Sequence, residues 1–258
     1  ETCDPNLMTL GPGWARGEGF IVGIAIAAGD FNAYYPIKHQ PGGNMSLNMV
    51  MKWFKKQMIT PHIPKVFHNA TYDLGWLRWA GVQVEGKIID TMIAAPLLNE
   101  NRWSYSLDSL GRDYLGERKN EKILRMEAKG WGLDAKAEMW RLPPKFVGQY
   151  AEQDAALTLR LWNYFEAELQ KNELSSIFEL ETSLIPLMLE MRAKGVRVDL
   201  DQAERTKKEL AKREEQIKAD IKHKTGIRIE PWVATSVGSV LHHYGIDVPK
   251  TGNKGQPS

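Results

Sequence analysis

The chain has 258 residues, 43% hydrophobic and 26% charged, with a formal net charge of +2, so it has room for one large domain or two smaller ones. A near-neutral balance neither demands nor forbids a nucleic-acid partner. A single cysteine, Cys3, excludes an internal disulfide and a thiolate zinc cluster and points to a reducing compartment, and no apolar run reaches the 18 residues of a membrane span.

Residues 19–28, "GFIVGIAIAA", are apolar and partly β-branched. With "FNAYYPIK" after Gly29-Asp30 they predict a hairpin. From Ser46, a plausible N-cap, Leu47, Val50, Met51 and Phe54 fall at helical spacing. "KVFHN" predicts a short strand, and "TYDLGWLRWAG" a helix closed by Gly81. "VQVEGKIID" predicts a strand, and "TMIAAPLLN" opens another helix. Alternating strands and helices over residues 19–100 predict an α/β fold with helices packed on a mixed sheet.

Beyond Ser106 the chain reads as mostly helical. A long helix starts at Pro143-Pro144, where proline is tolerated, and runs to Lys171. "ELSSIFELETSLIPLMLEMRAKG" predicts a helix kinked or broken at Pro186. A domain boundary is expected near residue 172. After Gly195, "VRVD" predicts a short strand, and Asp199 or Asp201 caps a charged helix to Lys224. That helix has eight Lys/Arg and six Asp/Glu between 201 and 224, and its apolar stripe is too thin to bury it on all sides. "ATSVGSVLHHYG" predicts a last helix, and "KTGNKGQPS" a polar, mobile tail.

Three acids stand out. Asp73 lies where a strand end runs into a helix start, the rim at which α/β sheets gather ligands; the plain alternative is an acid favoured by the helix dipole. Tyr150 and Asp154 are spaced i, i+4 on one helix face that is otherwise apolar, continuing through Leu157, Thr158 and Leu161. A carboxylate buried there needs a cation or donors; Arg78 and Arg160 are the structural alternatives to a metal. Glu1 shortly precedes the first strand pair, and its plain alternative is a frayed terminus. Carboxylates from separate segments suit hard cations such as Mg²⁺ or Mn²⁺, and two such ions can drive phosphodiester hydrolysis. The chain has no phosphate-binding GxxxxGK[ST] loop, no GxGxxG and no GxSxG elbow. His68 could face a substrate or be a satisfied strand-end histidine.

"NATYD" (Asn69 to Asp73) resembles the second, and "YAEQD" (Tyr150 to Asp154) the third, motif of the DnaQ-like 3′–5′ exonucleases. The Tyr-x-x-x-Asp form marks the tyrosine subclass, and no His stands within five residues before Asp154. "ET" (Glu1-Thr2) resembles the second half of the first motif, Asp-x-Glu-Thr, whose Asp would fall two residues upstream of this chain. "ELETSLIPLMLEMRAKGVRVDLD" resembles the stretch after the proofreading domain of family A DNA polymerases, and the charged helix after it resembles the start of the thumb. At the thumb tip, Glu230, Val233, Ser236 and Val237 stand where the family has Asn-x-x-Ser-x-x-Gln-Leu.

The resemblance implies a ribonuclease H-like exonuclease domain over residues 1–172, lacking its first strand residues, and the start of a polymerase domain over 173–258. It implies Glu1, Asp73 and Asp154 as ligands of two Mg²⁺ or Mn²⁺ ions and Tyr150 as the residue orienting the attacking water. Asn69 and Tyr72 would contact the 3′-terminal nucleotides, and Lys207, Lys208, Lys212 and Arg213 would grip duplex backbone. The implied partners are single-stranded and primer-template DNA and the palm and fingers of the polymerase. The implied setting is the cytoplasm, in a bacterial nucleoid or a phage-infected cell. Two rival expectations stand beside this one: a catalytically incomplete DNA-binding fragment, because one of four carboxylates is absent, and a ribonuclease D-like exoribonuclease.

Overall fold

The computed structural model describes residues 1–248. The chain divides into two compact units, Glu1–Gly195 and Val196–Ser258. The tail expected to be polar and mobile, from Lys250 onward, lies outside the described residues.

In the first unit, β1 (Thr2–Cys3) runs antiparallel to β2 (Phe20–Ile21), with Thr2 opposite Ile21 and Cys3 opposite Phe20. A short helix, α1 (Leu7–Leu10), and a 3-10 turn at Gly13–Ala15 fill the connection. The chain continues through Val22 into β3 (Gly23–Ala28), turns at Gly29-Asp30 and returns as β4 (Phe31–Pro36). Gly29 takes φ 57°, the left-handed backbone that a tight hairpin turn needs. A parallel pair completes the strands: β5 (Lys65–Phe67) beside β6 (Ile88–Asp90). The sheet is therefore mixed, as expected, but its hydrogen-bonded strands form three two-stranded ladders. The strand expected over 82–90 shortens to β6, because Gly86, at φ 89°, turns the backbone out of the extended region just before it.

Helices close this framework. α2 (Leu47–Met58) follows Ser46, which is extended as an N-cap should be, and buries Val50 and Phe54. α3 (Ala70–Trp79) buries Leu74, Trp76 and Leu77, and Gly81 at φ 67° ends it. α4 (Thr91–Leu98), α5 (Leu107–Leu110) with its π-helical continuation Gly111–Leu115, and α6 (Lys122–Gly130) lead to α7 (Pro144–Lys171). α7 packs along both strands of the β3–β4 hairpin.

α8 (Ser175–Ser183) and α9 (Ile185–Lys194) meet at Leu184, so the helix expected through Pro186 is broken. Pro186 sits in the first turn of α9, where its missing N–H has no intrahelical partner to lose. Both helices pack on the preceding elements of the first unit. Phe178 stacks on Trp162 with ring centroids 5.2 Å apart, and Ile185 is fully buried in the cluster that holds Trp76. Compactness therefore extends to Gly195, past the boundary expected near residue 172.

In the second unit, α10 (Leu200–Thr225) starts at Asp199, whose side chain accepts from Gln202 N at 2.9 Å. No residue of α10 is buried, as the thin apolar stripe anticipated. α11 (Ala234–His243) contributes Val240 to the small apolar contact of this unit. The segment "VRVD" is not a strand. It pairs with nothing among the described residues, and Val196 and Val198 are 88% and 60% exposed.

Candidate active site

The second motif is held by a carboxylate that the sequence reading did not single out. Asp90, at the end of β6, is 3% exposed. Its Oδ1 accepts from Asn69 N at 3.0 Å and Met92 N at 2.8 Å, and its Oδ2 accepts from Ala70 N at 2.7 Å. One side chain thus caps α4 and anchors the turn that starts α3. Asn69 adopts the left-handed conformation at φ 71°, a backbone state that Asn tolerates and these bonds hold in place. The Asn69 side chain is exposed at the mouth of α3, where its Oδ1 accepts from Thr71 Oγ1 at 3.1 Å.

From that anchored start, α3 carries Tyr72 and Asp73. The Tyr72 hydroxyl shares a 2.8 Å hydrogen bond with Thr2 Oγ1 and donates to Asp4 Oδ2 at 3.2 Å. Tyr72 thereby ties β1 to α3, and burial pushes its phenol up to about 12. Asp73 is half-buried. Burial pushes its carboxyl up to about 7; the α-ammonium of Glu1 opposes the rise, while the Glu1 and Asp90 carboxylates add to it.

Tyr150 and Asp154 lie one turn apart on one face of α7, as their spacing predicted. Tyr150 is buried, and its ionisation is pushed far up by burial and by the Asp154 and Glu1 charges, so the phenol stays protonated. Asp154 is raised by burial, with the Lys119 ammonium pulling it down and Glu1 pushing it up. Glu1 thus lies within electrostatic reach of Asp73, Asp154 and Tyr150. Four sequence-predicted residues from three segments share one electrostatic neighbourhood.

The partner of Asp154 is neither Arg78 nor Arg160, which pair with Glu190 and Glu117. It is Lys119, whose Nζ lies 2.5 Å from Asp154 Oδ2 and 3.3 Å from the Tyr150 hydroxyl. His68 reads as a satisfied strand-end histidine. Its Nδ1 is 2.9 Å from Thr91 Oγ1, and burial, with Lys119 nearby, pushes it down to about 4.

The donor set suits a hard cation. Asp154 Oδ1 is buried with no hydrogen-bond partner, and a carboxylate oxygen so placed is costly unless a cation or donor meets it. Among the described residues, however, no three His, Cys, Asp or Glu side chains are gathered closely enough to hold one ion. The carboxylates share a neighbourhood without forming a closed cage, and the cation that meets Asp154 is Lys119.

The basic residues of α10 stand in the other unit. Lys207 and Lys208 are exposed and lie 3.9 and 3.8 Å from Glu204 on their own helix. Lys212 and Arg213 are exposed on the same helix. No helix among the described residues is long and apolar enough to cross a membrane.

Residues 15–170 match the 3′–5′ exonuclease family of family A DNA polymerases, a span that holds Asn69, Tyr72, Asp73, Tyr150 and Asp154 but not Glu1. The whole chain is 35% identical to a DNA-directed DNA polymerase of Pseudomonas phage M6, and it spans 40% of that protein's length. The fold is similar to the POL domain of Pol1 from M. smegmatis, solved in complex with DNA primer-template and dNTP. The TM-score is 0.61 at 20% identity, over 93% of this chain and 37% of that one. It is also similar to Brucella melitensis NrnC with bound Mg²⁺, with a TM-score of 0.54 at 20% identity, over 76% of this chain and 83% of that one. The chain belongs to the 3′–5′ exonuclease family of the family A DNA polymerases.

Proposed function

We propose that the chain is the proofreading part of a DNA polymerase, removing nucleoside monophosphates one at a time from single-stranded 3′ ends. The observation that supports the reading most is the buried Asp154 Oδ1, unpartnered beside Tyr150 within the span that matches the exonuclease family. Residues 1–172 are read as the exonuclease and 173–258 as the start of the polymerase domain, with α10 in the thumb.

Glu1, Asp73 and Asp154 would hold Mg²⁺ or Mn²⁺. Two such ions, when bound, supply an activated water and stabilise the leaving 3′ oxygen. The residues of the chain do the rest. Tyr150 keeps its proton because burial and the neighbouring carboxylates resist its ionisation, so it orients the water as a neutral hydroxyl. The apolar face around Leu157 and Leu161 keeps bulk water away and strengthens charge interactions at the site. Asn69, exposed at the start of α3, and Tyr72 behind it contact the terminal nucleotides. Lys207, Lys208, Lys212 and Arg213 grip duplex backbone, a contact that weakens with salt. The partners are then single-stranded and primer-template DNA and the remaining polymerase domains.

The test uses a 5′-labelled single-stranded DNA with Mg²⁺, assayed with this chain and with the chain given an added Asp-Ala before Glu1. At least one form should shorten the DNA from its 3′ end, and Asp73→Ala and Asp154→Ala should each abolish that. Wild-type rates in either variant overturn the assignment. Activity in neither form, with DNA binding intact, establishes the binding-only reading, and strong preference for RNA establishes a ribonuclease D-like enzyme.

A further inference from the structure

Lys119 is built into its position. Its backbone N donates to Asp108 Oδ1 at 3.0 Å. Gln153, the neighbour of Asp154 on α7, clamps the loop on both sides of it: Gln153 Oε1 accepts from Asn120 N at 3.0 Å, and Gln153 Nε2 donates to Arg118 O at 3.2 Å. Two residues before Lys119, Glu117 pairs with Arg160 of α7 through both guanidinium nitrogens Nε and Nη2. Side chains from α7 and α5 therefore fix the backbone of the loop so that the lysine reaches inward. Its side chain is only 10% exposed, which is rare for a lysine and costly without an anionic partner.

The inward end meets Asp154 Oδ2 at 2.5 Å and the Tyr150 hydroxyl at 3.3 Å, with Nζ 5.0 Å from the centre of the Tyr150 ring. An ammonium there satisfies half of a carboxylate whose other oxygen has no partner. It also sets a positive charge on the same carboxylate that offers Oδ1 to a divalent cation. A cation on Oδ1 is repelled by the neighbouring ammonium, and one that takes both oxygens must displace it. Lys119 also lines an open cleft with Asp108, Glu121, Lys122, Arg125 and Lys136, in which Glu121 is already paired with Arg125 and Lys136.

We propose that Lys119 is an internal cation that contends with the divalent metal for Asp154 and so sets the metal affinity of the site. In this arrangement the ammonium keeps Asp154 and Tyr150 in register, and a metal that takes both carboxylate oxygens must displace it from Oδ2. Lys119 is a positioning residue, acting through Asp154. The inference rests on the metal-dependent reading of the site.

The experiment is a Mn²⁺ titration of the full chain, read by electron paramagnetic resonance of free Mn²⁺, for wild type, Lys119→Met, Lys119→Arg and Asp154→Asn. Lys119→Met should bind Mn²⁺ more tightly, with Kd lower by on the order of tenfold, since a competing charge is gone. Lys119→Arg, which keeps the charge, should stay closer to wild type than Lys119→Met does. In EDTA, Lys119→Met should melt below wild type, because Asp154 loses its partner, and Mn²⁺ should raise its Tm more than it raises that of wild type. Unchanged or weaker Mn²⁺ binding in Lys119→Met, beside normal binding in wild type, overturns the role of Lys119 alone. Mn²⁺ binding that Asp154→Asn leaves untouched, or none in any variant, overturns the metal reading and this inference with it.

Discussion

Removing the Asp90 carboxylate should loosen the second motif at its root. Asp90→Ala deletes three charge-assisted hydrogen bonds, to Asn69 N, Ala70 N and Met92 N. Ala70 is fully buried, so its N–H is left without any partner. A hydrogen bond to a charged group contributes about 1.5–3 kcal/mol, and such terms do not simply add. Burial opposes them, because it disfavours the charged carboxylate and raises Asp90 above the ordinary carboxylate range despite its three backbone donors. The balance is an expected loss on the order of 3–4 kcal/mol. Asp90→Asn separates the contributions. Its amide oxygen can replace Oδ1 for Asn69 and Met92, but its NH₂ then faces the Ala70 N–H, donor against donor. That variant should lose about 1–3 kcal/mol, the cost of one unsatisfied buried donor. Urea unfolding of both variants gives the totals, and amide hydrogen exchange at Ala70 and Met92 gives the local effect. If Asp90→Ala unfolds within about 1 kcal/mol of wild type, or if exchange at Ala70 is unchanged, the anchoring role fails.

Two further outcomes follow from the same geometry. Asp73, raised by burial to about 7, binds its proton more tightly folded than unfolded, so its ionisation destabilises the fold. Its favourable contribution is complete below the unfolded value near pH 4 and is lost as the pH rises through about 7; Asp73→Asn should therefore raise Tm in EDTA at pH 8 but not at pH 4. The gain is at most ~4 kcal/mol and is reduced by the partial exposure of the side chain, and a lower Tm at pH 8 contradicts the burial argument. A chain ending at residue 172 loses Phe178 from Trp162 and Ile185 from the Trp76 cluster, each about 1.5–3 kcal/mol of buried apolar surface. It should unfold at markedly lower urea than a chain ending at Gly195, and equal midpoints would refute the packing of α8 and α9 as a stabilising element.

Much of this arrangement is legible in the sequence because it depends on near neighbours. Gly29-Asp30 marks the hairpin because the turn chemistry is local. Tyr150 and Asp154 share a face because four residues make one helical turn. The break near Pro186 follows from a missing N–H. Interactions across long sequence distances leave no such trace. Lys119 stands 35 residues before Asp154, and nothing in its loop distinguishes it from Arg118 or Lys122 until Gln153 and Asp108 are seen to clamp the backbone. Asp90 left a fainter signal, an acid directly before the helical run "TMIAAPLL", which marks an N-cap. That it also holds Asn69 and Ala70 depends on β5 and β6 lying side by side. "VRVD" failed as a strand for the converse reason: β-branched residues favour extension, but a strand needs a partner, and none is offered there.

The central claim is that Asp154 lies at the heart of a divalent-cation site. Crystals of the chain soaked in Mn²⁺, with anomalous diffraction recorded at the manganese edge, test it directly. The expected result is a peak within about 2.0–2.3 Å of an Asp154 carboxylate oxygen, with Lys119 Nζ moved away from it, and no peak in Asp154→Ala. Mn²⁺ bound only elsewhere, or none in crystals that take up the ion, contradicts it.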